Sequence, residues 1–283
     1  MPHNPPPTPG DEFLLPGHRV LVLSGRDAAA FAHAQFMNDV AGLPVGHWQW
    51  NGWLTPKGRL VALFALCKRD EQALWLLLPD ADPAELAAAL QRFVFRSKVT
   101  LGGRADLVVS GGFAPPARAS QAQFAEIDAG IELDMGGEGG PRVLRIGAGA
   151  GFTTDGSDRW AAFDLEHGLP RLPASQSGQW TPQQLSLDRL RAYSVRKGCY
   201  PGQEIVARTH FLGQAKRGLA LFETGSAMSV GSEVRDGERA LGTIVSASGR
   251  HALAVLPLEH DAVALHADGI GLQEMPLLSG LER

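Results

Sequence analysis

From Lys216 onward the chain changes texture, and that change constrains the fold more than any other feature. The runs KRGLALFE, GSEVRDG, ALGTIVSAS, HALAVLP and DAVALHA are short, alternate apolar with polar positions, and are separated by dense turn residues. None shows helical periodicity. Strands this short and closely spaced must close on themselves or stack, so a small all-β barrel or sandwich is expected over 213–283. The boundary falls near Leu212 to Ala215.

The first hundred residues mix strands and helices in an α+β order. HRVLVLSG, from His18 to Gly25, reads as a strand. The alanine-rich SGRDAAAFAHAQFMND follows as a helix, with Ser24 as N-cap and Asp27 as its capping partner. WQWNGWLTPKGRLVALFALCKRD reads as a hairpin turning at Thr55-Pro56-Lys57-Gly58 and returning over Arg59 to Lys68. ALWLLLP is a further strand. DADPAELAAALQRFVF is a helix with Asp82 as N-cap and Pro83 in the first turn. Beyond Lys98 come short strand-like runs, one expected helix near Arg118 to Ala125, a glycine-rich loop from Met135 to Arg142, and a helix at about Trp160 to His167.

Composition narrows the function classes. The 283 residues are 44% hydrophobic and 20% charged, ordinary globular values, with a net charge of -4. A chain that coats nucleic acid non-specifically is usually basic, so that role is not expected. Cys67 and Cys199 are the two cysteines, too few for a disulfide scaffold, and a reducing cytoplasmic compartment is the simplest reading. No run approaches the length of a membrane span, and the Pro-rich start, residues 1–14, reads as a flexible tail without signal-peptide character.

The stretch RKGCYPGQEIVART, Arg196 to Thr209, carries Cys199 between a Lys-Gly step and a Pro-Gly turn. Gly198 and Pro201-Gly202 put the cysteine on a tight loop. Gln203 and Glu204 then open a helix. A thiol ahead of a helix N-terminus and flanked by Arg196 and Lys197 sits in positive potential, which favours the thiolate. The same residue types also allow a plainer reading, in which Cys199 is a small buried residue on a turn. No CxxC or HxxxH spacing points to a metal site, and His210 and His251 are isolated. Cys67 lies in an apolar strand and reads as core, as do Trp48, Trp50 and Trp53 by default, although one or two of these could line a cleft.

KGCYPGQE resembles the K-G-C-aromatic-x-G-Q-E signature of the YgfZ family, folate-binding relatives of the glycine cleavage T-protein. GRDAAAFAHAQFMNDVAGL, FRSKV, RWAAFDLEHGLPRL, TPQQLSL and VARTHFLGQAKR resemble further family segments in the expected order. The resemblance runs from about Val20 to Arg217.

It implies a T-protein-like, three-part α+β architecture around a central cleft. Residues 15–97 and 158–212 would form a discontinuous first α/β (ferredoxin-like) domain, 98–157 a second, and 213–283 a C-terminal β-barrel. It implies a tetrahydrofolate ligand and a role in iron–sulfur cluster assembly or repair that reaches tRNA modification through cluster enzymes. The partners would be iron–sulfur client or assembly proteins, without a membrane. Cys199 and Lys197 would be the working groups of the motif. Trp160 would stack on the pterin and Glu166 would accept its N–H groups. Tyr200, Gln203 and Glu204 would lie with the ligand, and His18 stands where the family carries an aromatic. Arg189, Arg191 and Arg196 could hold the glutamate tail.

Two alternatives stand beside this reading. One is a folate-dependent aminomethyltransferase. The T-protein uses an aspartate in the strand after its first hairpin, but no acid occurs here between Gly58 and Lys68; Asp39 lies in a segment both families share. The other is a non-catalytic tRNA- or protein-binding module, with Lys197, Arg208, Lys216 and Arg217 as a basic patch.

Overall fold

The computed structural model describes residues 12–283 apart from 129, 150–151, 154, 214 and 261–263. Most of the expected flexible tail therefore lies outside the described residues.

The first sheet contains β2 (Arg19–Ser24), β3 (His47–Leu54), β4 (Leu60–Asp70), β5 (Ala73–Leu78) and β6 (Thr100–Gly103), in the order β3-β4-β5-β2-β6. All its neighbours run antiparallel. The hairpin turns as its sequence predicts, with Gly58 at a φ of 68°. Period-2 alternation gives the sheet two apolar faces. Leu21, Leu23, Phe64 and Leu74 pack with Phe31 of α1 (Ala28–Gln35) and Leu90 of α2 (Pro83–Gln91). Val20, Trp48, Trp50, Ala65 and Cys67 join the central core. Asp82 caps α2 by accepting from the N–H groups of Ala84 and Glu85. The cap expected of Ser24 does not form. Ser24 ends β2 and bonds Thr100, while the Asp27 carboxylate accepts from Lys98 N, so the pair splices β6 to β2.

The second sheet has the order β1-β7-β10-β9-β8: β1 (Phe13–Leu14), β7 (Val108–Gly112), β8 (Ala125–Ile127), β9 (Gly130–Asp134) and β10 (Val143–Gly147). The helix expected near Arg118 to Ala125 is absent. Its backbone is claimed elsewhere: the N–H groups of Arg118 and Ala119 both donate to the carboxylate of Glu132 on β9. Burial opposes the charge on Glu132, but these bonds and Arg145 outweigh it and hold its pKa below the ordinary value. The expected domain limits also shift. Phe13 and Leu14, counted with the tail, pair with β7, and β6, placed beyond residue 97, belongs to the first sheet.

After α3 (Ser157–Glu166) the chain returns to the first sheet, where Leu60 exchanges backbone bonds with Gly178 and Trp180. Then α4 (Gln203–Leu212) leads into a closed barrel of β11 (Arg217–Thr224), β12 (Glu233–Asp236), β13 (Arg239–Ser248), β14 (His251–Pro257), β15 (Leu265–Ala267) and β16 (Ile270–Met275). Pairing of β16 with β11 removes the free edges. No helix among the described residues is long and apolar enough to cross a membrane.

The chain end ties the three sheets together. Leaving β16, it passes α3, where Leu278 N donates to Glu166 O. It crosses the second sheet's loop, where Ser279 and Glu138 bond in both directions. It ends on β3, where the Trp50 indole donates to Leu281 O at 2.7 Å. Leu281 itself is buried in the central core. Leu281→Ala is expected to cost about 2–5 kcal/mol in urea unfolding, the range for a buried leucine. A cost below about 1 kcal/mol would show that the tail merely lies on the surface.

Candidate functional site at the Cys199 loop

The loop before α4 is held by its polar groups, and Lys197 is the chief of them. Helix α1 ends with unpaired carbonyls, as every helix does. The Lys197 ammonium enters that end and donates to the carbonyls of His33, Phe36 and Asn38. It also lies 4.7 Å from the Tyr200 ring centre. The side chain is buried, and desolvation brings its pKa down to about 8, against the pull of Asp39. Its charge thus serves the negative end of a helix.

Neighbouring residues brace the same turn. Ser194 N donates to Met37 O, and Ser194 Oγ accepts from the N–H groups of Arg196 and Lys197. The buried Tyr200 donates its hydroxyl to Ser194 O, and burial pushes its pKa up. Gln203 Nε2 donates to Lys197 O at 3.1 Å. Beneath them Asn38 donates to Trp50 O and Arg191 O and takes up Asn51 Oδ1 through its own N–H. Asn38, Asn51 and Ser194 carry no motif signal in the sequence. The clue to the first was a polar Asn-Asp step closing an apolar helix.

Gly202 is required where it stands. Its φ is 81°, and a Cβ there would meet Gly58 Cα and Thr55 O at 2.7 Å. The loop therefore rests on the tip of the β3–β4 hairpin. Gly198 is different: a Cβ there would meet nothing, so nothing in the structure requires glycine at that position.

Cys199 emerges from this braced turn as a free, exposed thiol. The reading of it as a small buried residue is therefore wrong. Cys67 is the opposite case, wholly buried, with its thiol pKa pushed up by desolvation. Arg196 and Glu204 are exposed at the loop's rim. The basic patch shrinks, because Lys197 is buried and Arg217 donates to Leu241 O. Arg208 remains exposed.

The residues expected to wall a pterin do not form a wall. Trp160 is 0% exposed. Arg142 lies 3.9 Å from its ring centre, and Phe13 and Phe113 pack around it. Glu166 faces His251 of the barrel at 3.5 Å. His18 is half-buried, and burial with the charges of Arg171 and Arg142 lowers its pKa well below the ordinary value. Among the described residues no hydrogen bond or ring contact joins this group to the Cys199 loop.

Open space lies instead beside the C-terminal segment. One cavity of about 720 Å³ is lined by Gln121, Asp134, Gly137, Arg191, Glu282 and Arg283, among others. A smaller one of about 210 Å³ is lined by His167, Arg189, Arg191, Leu278 and Glu282, among others. Arg191 and Glu282 border both, so residues 278–283 partition a single cleft. Arg189 Nε and Arg283 Nε are buried without a partner among the described residues. Of the arginines expected to hold an acidic tail, Arg189 and Arg191 meet here and Arg196 does not.

No family model matches the chain. In structure it is similar to the glycine cleavage system aminomethyltransferase T of Bartonella henselae, with a TM-score of 0.70 over 95% of this chain and 85% of that one. Identity there is 13%, so that likeness establishes a T-protein-like fold and nothing about chemistry. In sequence it is 29% identical to the tRNA-modifying protein YgfZ of Klebsiella pneumoniae (strain 342), over 86% of this chain and 84% of that protein. The tRNA-modifying protein YgfZ of Escherichia coli O157:H7 is likewise 29% identical, over 80% of this chain and 77% of that protein. In sequence the chain is thus similar to YgfZ proteins over most of its length, and its fold is that of the T-protein.

β4 carries no acid at any buried position; its one acid, Asp70, closes the strand at an exposed end.

The depressed pKa of Lys197 has a consequence for stability. The folded protein binds that proton less tightly than the unfolded chain does. From about pH 8 up to the unfolded value the unfolded state holds more protons, so this group's contribution rises with pH. Wild type is expected to gain stability relative to Lys197→Met between pH 7.5 and 9.5, measured by urea unfolding. Parallel pH profiles for the two proteins would contradict that burial.

Proposed function

We propose that this chain is a tRNA-modification factor of the YgfZ kind whose working group is the Cys199 thiol. The observation that carries the reading is the contrast between a deeply braced loop and the exposed sulfur at its tip. Structural cysteines are buried and inert, whereas chemically used ones are accessible. Among the described residues no three His, Cys, Asp or Glu side chains gather to hold a metal. Cys199 would therefore offer one thiolate ligand to an iron–sulfur cluster carried by a partner protein, which supplies the others. A reducing cytoplasm keeps such a thiol available.

Tetrahydrofolate is the ligand proposed for the larger cavity beside the C-terminal segment. The cavity's volume lies within the range of about 300–1,000 Å³ usual for small-molecule sites. Arg191 supplies a cation for the glutamate carboxylates, and Gln121 and Asp134 supply polar groups. A bound reduced folate supplies a one-carbon carrier. The chain's own part is to orient it between the second sheet and the C-terminal segment. Aminomethyl transfer is not proposed, because the strand acid that the T-protein uses has no counterpart on the buried face of β4.

Nucleoside mass spectrometry of tRNA from cells lacking the natural factor tests the first claim. Cys199→Ala should fold like wild type and restore none of the missing modification. Full restoration would remove the thiol from the account. Anaerobic calorimetry with tetrahydrofolate tests the second: wild type and Cys199→Ala should bind alike, and Arg191→Ala at least several-fold more weakly. Unchanged binding by Arg191→Ala would place the ligand elsewhere.

A further inference from the structure

A separate cavity of about 440 Å³ lies between α2, the stem of the β3–β4 hairpin and residues 172–177. Trp53, Val61, Leu63, Leu86, Ala89 and Leu172 give it an apolar wall. Its volume suits a small organic molecule. Trp53 is itself buried, and its indole N–H has no acceptor among the described residues. An ammonium offers that N–H no acceptor, so the indole can take part only through its ring.

Charge at the rim selects the class of ligand. Four charged residues border the cavity: Arg19, Asp80, Asp82 and Glu85. Asp80 accepts from Arg171 Nε at 2.9 Å and from Leu172 N at 2.8 Å. Asp82 caps α2 with one oxygen and pairs with Arg19 at 3.1 Å through the other. Glu85 has no side-chain partner among the described residues, and it stands exposed at the opening. One uncompensated carboxylate thus overlooks an apolar wall that contains an indole. That combination recognises an ammonium group attached to an apolar body, through charge-assisted hydrogen bonds and the aromatic ring.

We propose that this cavity binds a small organic ammonium compound, its apolar body between α2 and the hairpin and its charged head at Glu85. The site is distinct from the cleft proposed for folate. It shares one element with the Cys199 loop: the hairpin whose stem lines this cavity carries Gly202 at its tip. An occupant therefore touches the element on which the thiol loop rests.

Calorimetry on the full chain tests this with 4-phenylbutylamine and its neutral counterpart 4-phenylbutanol. The amine should bind wild type at least tenfold more tightly than the alcohol. Glu85→Gln should bring the amine down to the affinity of the alcohol. Ala89→Leu, which narrows the cavity, should abolish binding of both. Glu85 is exposed, so its variant keeps the fold and carries the charge test alone. Equal affinities for amine and alcohol in wild type, an unchanged amine affinity in Glu85→Gln, or no binding of either compound would each overturn the proposal. None of these results bears on Cys199.

Discussion

A buried ammonium on the end of a helix holds the Cys199 loop in place. Lys197 reaches three carbonyls at the close of α1, which no backbone N–H serves in the same way. Because the partner is a helix end in the first sheet's layer, the loop is anchored across more than 150 residues of sequence separation. Tyr200 and Gln203 close the turn around that anchor, and Gly202 lets it lie flat on the hairpin tip. The result is an exposed sulfur on a loop braced by the residues that flank it. In the proposed role, such a thiol would meet a partner without first ordering a loop.

The C-terminal segment plays the corresponding part for the cleft. It runs from the barrel past α3 and the second sheet to β3, bonding each in turn. The cleft it crosses holds two cavities that share Arg191 and Glu282. Any ligand taken up there is in contact with the end of the chain, and the same segment that joins the three sheets shapes the proposed pocket.

Elements with strong local signals were legible in the sequence. The Thr55 to Gly58 turn, the Asp82-Pro83 helix start and the alternating runs of the barrel each carry their determinants within a few residues. What failed depended on distant partners. The 118–125 stretch is compatible with a helix until Glu132 claims its N–H groups. Ser24 looks like a cap until β6 arrives beside it. At the site, the tight turn around Cys199 could be read from Pro-Gly chemistry, but its exposure could not. Nor could the burial of Lys197, because a lysine beside a cysteine gives no sign that its charge faces a helix from the far end of the chain. Trp160 misled for a related reason: an aromatic suited to stacking on a ligand is equally suited to the guanidinium of Arg142.

Hydrogen exchange of residues 194–202 in wild type and Lys197→Met addresses the central interaction directly. The account predicts that losing the ammonium speeds exchange in this loop and at the end of α1 together, while the barrel strands keep their protection. Unchanged exchange in the loop would mean that Lys197 does not hold it, and that the presentation of Cys199 rests on something else.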